Sequence, residues 1–219
     1  MSKRPPASTP GFIESYVGSF GSALRALEPS DIDTVVAVLL DAYERNARVF
    51  IAGNGGSASL ASHFACDLEK TASGPRPRLV RRRLRALSLN DNMAAFSAWA
   101  NDEGYRVVFA EQLRSHADPG DVLIVISASG NSPNIVAALE AAAEIGLQTV
   151  ALVGFEGGRA LELADHSLHV GVSDYGIVEG VHGVLTHVIT SCLVLALAER
   201  RDDDLGDPEA LLRQYLREV

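Results

Sequence analysis

Twice along this chain a run of branched apolar residues stops in a short loop of glycine, serine and asparagine and passes straight into a helical stretch. The first is Val49-Phe50-Ile51-Ala52 followed by Gly53-Asn54-Gly55-Gly56-Ser57. The second is Val122-Leu123-Ile124-Val125-Ile126 followed by Ser127-Ala128-Ser129-Gly130-Asn131-Ser132. A strand that ends this way at a helix start is suited to receive an anion. The first N–H groups of a helix have no internal partner, and the helix dipole adds partial positive charge there. No Gly-Lys-Ser/Thr follows either loop, and neither has the G-x-G-x-x-G spacing of a dinucleotide fingerprint. What remains is a pocket for a small phosphorylated or polyhydroxylated ligand.

The same alternation runs through the chain. Two helices over about 11–27 and 31–46, the second with Ser30 or Asp31 as N-cap, precede strand 48–52, helix 57–70, a polar loop and strand 84–89. Helices 91–99 and 105–116 follow, then the Asp118-Pro119-Gly120-Asp121 turn and strand 122–127. Helix 133–145, strand 148–153, a short helix 158–163, strand 166–171 and a long helix 176–200 complete the pattern. Five β-rich runs separated by helices predict an α/β fold with a five-stranded parallel sheet covered on both faces. Right-handed crossovers bring the loops after the strands to one edge, where ligands of such sheets bind. Both polar loops are therefore expected at a single site.

The 219 residues divide into a disordered arm over 1–10, one domain over 11–200, and an acidic linker with a short amphipathic helix over 201–219. In that helix Leu211, Leu212, Tyr215 and Leu216 share a face suited to packing or a subunit contact. A net charge of −9 argues against a general nucleic-acid binder. The basic block Arg76 to Arg85 lies among Gly74, Pro75 and Pro77, lacks interleaved aromatics, and reads as a solvated loop. Two cysteines, Cys66 and Cys192, make no disulfide framework and fit a reducing cytoplasm, with Cys66 read as a small buried residue. The start is polar and proline-rich rather than signal-like. The apolar stretch Val184 to Ala198 is interrupted by Thr186, His187, Thr190 and Ser191 and reads as too short to span a membrane.

Behind the first loop, His63 and Asp67 are four residues apart and share a helix face. On the last long helix Glu179, His182 and His187 lie within about two turns. Imidazole and carboxylate at such spacings can hold a divalent metal or form an acid/base pair. Glu179 and His187 would be about 12 Å apart along a continuous helix, too far to meet easily on one ion with metal–ligand bonds of roughly 2 Å. Either one of them acts across a subunit interface, or the helix begins later. His116, His166 and His169 have no partner pattern, His182 reads as structural, and Trp99 and Tyr105 read as core or interface.

Taken together, Gly53 to Ser57, His63-Phe64-Ala65, Asn101-Asp102-Glu103-Gly104-Tyr105, Ser127 to Ser132 and the Glu179…His187 helix resemble a sugar isomerase (SIS) domain. Within that superfamily the pattern, from about residue 11 to 200, looks most like the phosphoheptose isomerases, which interconvert sedoheptulose 7-phosphate and D-glycero-D-manno-heptose 7-phosphate. The resemblance implies a doubly wound three-layer α/β/α sandwich and a homotetramer with active sites at subunit interfaces. It places Asn54, Gly55, Gly56 and Ser57 near the reacting end of the sugar. Ser127, Ser129, Asn131 and Ser132 would form a phosphate cradle, with Asp102 and Glu179 also contacting ligand. His63, Asp67, Glu179 and His187 match positions that bind zinc in metal-containing members, and Asp67 and His187 match the proposed base and acid.

The chain departs from the family pattern at three of these places. Asp67 stands where glutamate is usual, which retracts a carboxylate by about 1.5 Å. Glu179 stands where glutamine is usual, and Ala128 replaces a threonine of the cradle. Two carboxylates in the set would strengthen divalent binding, with zinc favoured over nickel, iron or manganese. The implied reaction is aldose–ketose isomerisation through a cis-enediol. The competing reading is a non-catalytic SIS protein, a sugar-phosphate sensor or oligomeric scaffold. The retained ionisable residues favour catalysis, and neither a nucleic-acid nor a membrane partner is expected.

Overall fold

The computed structural model describes residues 9–72 and 83–199. Helices α1 (Thr9–Arg25) and α2 (Pro29–Arg45) lead into β1 (Arg48–Gly53) and α3 (Gly56–Cys66), which continues as a π-helical turn over Asp67–Thr71. Then come β2 (Arg85–Ser88), α4 (Met93–Asp102), a 3₁₀ turn (Tyr105–Val107), α5 (Ala110–His116), β3 (Val122–Ser127) and α6 (Pro133–Ile145). β4 (Gln148–Gly154), α7 (Gly158–Leu163), β5 (His166–Val170) and α8 (Tyr175–Glu199) close the described chain.

The five strands pair in parallel in the order β2-β1-β3-β4-β5. Alternate residues of the central strands feed two cores, as a period of two requires. Val49, Ile51, Ile124 and Leu152 face α2, α3 and α8, while Phe50, Leu123, Val125 and Val153 face α5, α6 and α7. β3 is buried along its whole length, as expected of a strand covered on both faces, whereas the edge strand β2 alternates between exposed and buried. The expected doubly wound α/β/α sandwich is what forms.

Winding reverses between β1 and β3, which lie side by side at the centre of the sheet. That is the topological switch point of an open α/β sheet, and it sets the two polar loops next to each other.

Several local expectations change. Pro29 opens α2 with Glu28 as N-cap, so neither Ser30 nor Asp31 caps it. Proline is at home there because the first helical N–H has no partner to lose. The expected helix 105–116 is a 3₁₀ turn followed by a shorter helix. Thr9 and Pro10 already belong to α1, while the rest of the expected arm, most of the arginine block and the tail lie outside the described residues. Cys66 is exposed rather than buried, because it falls on the outer face at the end of α3. The apolar stretch of α8 is longer than the sequence suggested. Tyr175–Leu197 is long and apolar enough to cross a membrane by length and composition. Here Val178, Val181, Leu185, Ile189 and Leu193 spend that apolarity on the core under the sheet.

Candidate functional site

The loop after β1 is gripped by side chains from elsewhere. Asn90, just past β2, accepts from the Gly53 N–H at 3.2 Å and donates to the Gly53 carbonyl at 2.9 Å. Asn54 and Asn134 form a reciprocal amide pair, both bonds 2.9 Å, across 80 residues of sequence. The Tyr105 hydroxyl donates to Asn54 Oδ1 at 2.9 Å. Asn134 lies in the first turn of α6, directly behind the second loop, so this pair ties the two loops together.

The loop after β3 is braced from its other side. Asn131 donates to the Ser129 carbonyl at 3.1 Å and accepts from the Arg159 N–H at 3.0 Å. The Gly130 carbonyl accepts from Ala160, and the Ala128 carbonyl from Gly154, both at 2.9 Å. Gly130 has φ +64°, and a Cβ there would lie 1.9 Å from the Gly157 carbonyl oxygen, so only glycine fits. Ser127 is buried and Ser129 and Ser132 half-buried. Ser132 is the N-cap of α6, yet its hydroxyl does not bond back to the helix. Pro133 opens α6 and brings no N–H, so at this end an anion would meet the helix dipole rather than a first helical amide. The Asn131 side chain spends its oxygen and one of its two N–H groups within the loop and its brace.

Beyond the first loop, α3 widens into its π-helical turn at Asp67. Such single-turn bulges often re-aim side chains at functional positions. Asp67 Oδ2 lies 3.6 Å from His63 Nε2 and 3.4 Å from Nδ1 of His187, which reaches in from α8. The two imidazoles meet edge to face at 5.0 Å. Asp67 is largely shielded, with 16% of its side chain exposed, whereas His63 and His187 are about half exposed at 52% and 55%. Ligand atoms of the three residues all lie within 4.8 Å of one another. Two imidazole nitrogens and one carboxylate at that spread are a donor set that fits zinc.

Glu179 is not part of this group. α8 is continuous from Tyr175, so a later helix start does not bring Glu179 to His187. The Glu179 carboxylate lies instead beside Gly56 at the start of α3, where a Cβ would come 2.7 Å from its Oε2. Together with Ser57, Ser59, Leu60 and His63 these two line a cavity of about 300 Å³. His63 therefore faces both the cavity and Asp67. Asp102 stands exposed at the end of α4, accepting from Asn101 at 2.7 Å.

His182 is fully buried. Its Nε2 lies 3.2 Å from the Val153 carbonyl, and its Nδ1 has no hydrogen-bond partner among the described residues. Burial pulls its pKa down to about 4, against a smaller opposing effect of the Val153 hydrogen bond. The structural role expected of it agrees with this placement.

The sequence pattern singles out neither Asn90 nor Asn134, and it does not give Tyr105 a place beside the first loop. Tyr105, expected in the core or an interface, is exposed in this single chain, sets its ring edge-on against Phe96 and points its hydroxyl at Asn54. The available signal was position: Asn90 and Asn134 both follow strands at the edge where the loops gather.

Comparison with known proteins agrees with this architecture. The SIS domain family model matches residues 14–154. A phosphoheptose isomerase of Helicobacter pylori strain P12 is 39% identical over 158 residues, 72% of this chain and 80% of that protein. The lincomycin biosynthesis protein LmbN of Streptomyces lincolnensis is 34% identical over 187 residues, 81% of this chain and 66% of that protein. The structure of phosphoheptose isomerase GmhA from Neisseria gonorrhoeae superposes with a TM-score of 0.75 at 28% identity, covering 84% of this chain and 95% of that one. Loops, sheet order and relatives agree: this chain belongs to the SIS domain family, with phosphoheptose isomerases among its relatives.

Proposed function

We propose that the chain is an aldose–ketose isomerase of a sugar phosphate, with sedoheptulose 7-phosphate and D-glycero-D-manno-heptose 7-phosphate as the substrate pair. One observation carries the reading. At the switch point, a loop with a receptive helix end adjoins a loop that leads straight to the His63–Asp67–His187 group.

In this reading Ser127, Ser129 and Ser132, with loop amides, hold the phosphate. Asn54 to Ser57 frame the reacting end, and Asp102 and Glu179 contact hydroxyls. The ketose loses a proton from C1, forming a cis-enediol, and regains one at C2. Asp67 is the proposed base and His187 the proposed acid. His63, Asp67 and His187 would also hold zinc, and when bound there it supplies Lewis-acid polarisation of the sugar carbonyl. Asp67 cannot serve fully as both ligand and base, so its replacement distinguishes the two roles. Any share of Glu179 in ion binding would come across a subunit interface of a homotetramer. Exposed Phe12, Ile13 and Val17 on α1 support such assembly. Two free cysteines fit a cytoplasmic location.

The direct test incubates the purified chain with sedoheptulose 7-phosphate, with zinc and after chelation. Appearance of the aldose in either state supports the proposal. Binding without turnover in both states would shift the reading to a sugar-phosphate sensor.

A further inference from the structure

Asn54 is the most heavily engaged side chain of the first loop. Its Oδ1 accepts from Asn134 Nδ2 and from the Tyr105 hydroxyl, each at 2.9 Å. Its Nδ2 donates to Asn134 Oδ1 at 2.9 Å. An amide oxygen has two lone pairs and its nitrogen two N–H groups. Both acceptor positions are therefore filled, and one N–H remains. The two partners are anchored independently of the loop. Asn134 is 1% exposed at the start of α6, and the Tyr105 ring packs edge-on against Phe96 at 5.6 Å.

We infer that Tyr105 and Asn134 are positioning residues that make Asn54 a donor-only group, presenting its one free N–H to an oxygen at the reacting end of the sugar. The inference rests on the isomerase reading and adds to it the sign of the interaction. When the C1 proton of a ketose passes to the base, the C–H electron pair forms the C1=C2 bond. The carbonyl pair then moves onto O2, which becomes negative. C2 afterwards receives a proton, and O2 takes up the equivalent of the proton that O1 gives up as C1=O1 forms. A fixed N–H beside O2 strengthens as that charge develops and needs no reorganisation to do so, whereas an amide oxygen turned the same way would oppose it. The Asn54–Asn134 pair alone is satisfied equally well with both amides turned over; the Tyr105 hydroxyl, a phenol that donates more strongly than it accepts, favours the orientation that puts Oδ1 toward it.

Tyr105→Phe keeps the ring on Phe96 and removes only the hydroxyl. With sedoheptulose 7-phosphate, kcat should fall about fivefold or more while KM stays within about twofold, because the lost interaction belongs mainly to the transition state. In an Asn54→Ala background the same substitution should cost nothing further, since its effect passes through Asn54. A wild-type kcat for Tyr105→Phe, or an undiminished loss in the Asn54→Ala background, overturns the inference. If the wild type does not turn this sugar over, the isomerase reading fails for it, and the side-chain amide resonances of Asn54 decide the positioning separately. Faster exchange of those protons in Tyr105→Phe supports it; unchanged exchange overturns it.

Discussion

The loop after β1 and the loop after β3 lie side by side and are built from the same kinds of residue, yet they are held differently. The second is braced by backbone and by its own asparagine against the start of α7, with Gly130 pressed on Gly157. The first is gripped through side chains, by Asn90 on the Gly53 backbone and by Asn134 and Tyr105 on Asn54. Backbone bracing fixes a cradle whose amides can face a phosphate whatever the rest of the ligand does. Side-chain gripping orients one functional group and leaves the neighbouring helix end open to a cavity. The difference suits one loop to holding a remote anchor and the other to the reacting end.

Substituting glycine should separate the two most strongly. Gly130→Ala puts a side chain into a left-handed conformation and against a backbone carbonyl that cannot move aside, so we expect about 4 kcal/mol of destabilisation by chemical denaturation. Gly56→Ala meets only the mobile end of Glu179. It should cost less than about 1 kcal/mol and act by pushing that carboxylate out of the cavity. Equal losses at both positions would erase the contrast.

The second loop also leans on His182, which holds Val153 next to the Gly154–Ala128 contact. In the fold its pKa is about 4, below the ordinary 6.5, so the unfolded chain takes up a proton that the folded chain resists. Its neutral form is therefore fully compatible with folding above the ordinary value. Stability is lost as pH falls from 6.5 toward 4, by up to about 3 kcal/mol. Unfolding measured across that window should be less pH-dependent in His182→Leu than in the wild type.

On the first loop's side, Asp67→Asn should lower turnover of sedoheptulose 7-phosphate on the order of a hundredfold if Asp67 is the base. If Asp67 is only a ligand, added zinc should restore much of the loss. A smaller effect than at Asp67 is expected at Ser132. Its hydroxyl does not cap α6, so Ser132→Ala should spare the about 1 kcal/mol that loss of a true cap costs. It should still raise KM for a phosphorylated sugar about tenfold, by removing a hydrogen bond to a charged group.

Much of this arrangement was legible in the chain itself. The apolar runs that end in Gly53 and Ser127 announce buried parallel strands, and the small polar residues behind them announce receptive helix starts. His63 and Asp67 share a face because four residues make about one helical turn, and the π-helical turn at Asp67 still leaves them adjacent. Local pattern could not reveal that the Asn54 amide is matched by Asn134, since that contact depends on β1 and β3 becoming neighbours. Nor could it reveal that Tyr105, between Gly104 and Arg106, sets its ring on Phe96 and its hydroxyl on Asn54.

The sequence by itself determined the fold class, the two loops, the edge at which they meet and the residues able to do chemistry there, because strand and helix periods are local properties of a chain. Tertiary structure alone decided which of those residues act together. Asp67 sits between imidazoles from α3 and α8, while Glu179, eight positions before His187 on the same continuous helix, lies instead beside Gly56 in the cavity. A rigid helix keeps such residues about 12 Å apart along its axis, so partnership at this site is set by which elements the sheet brings together.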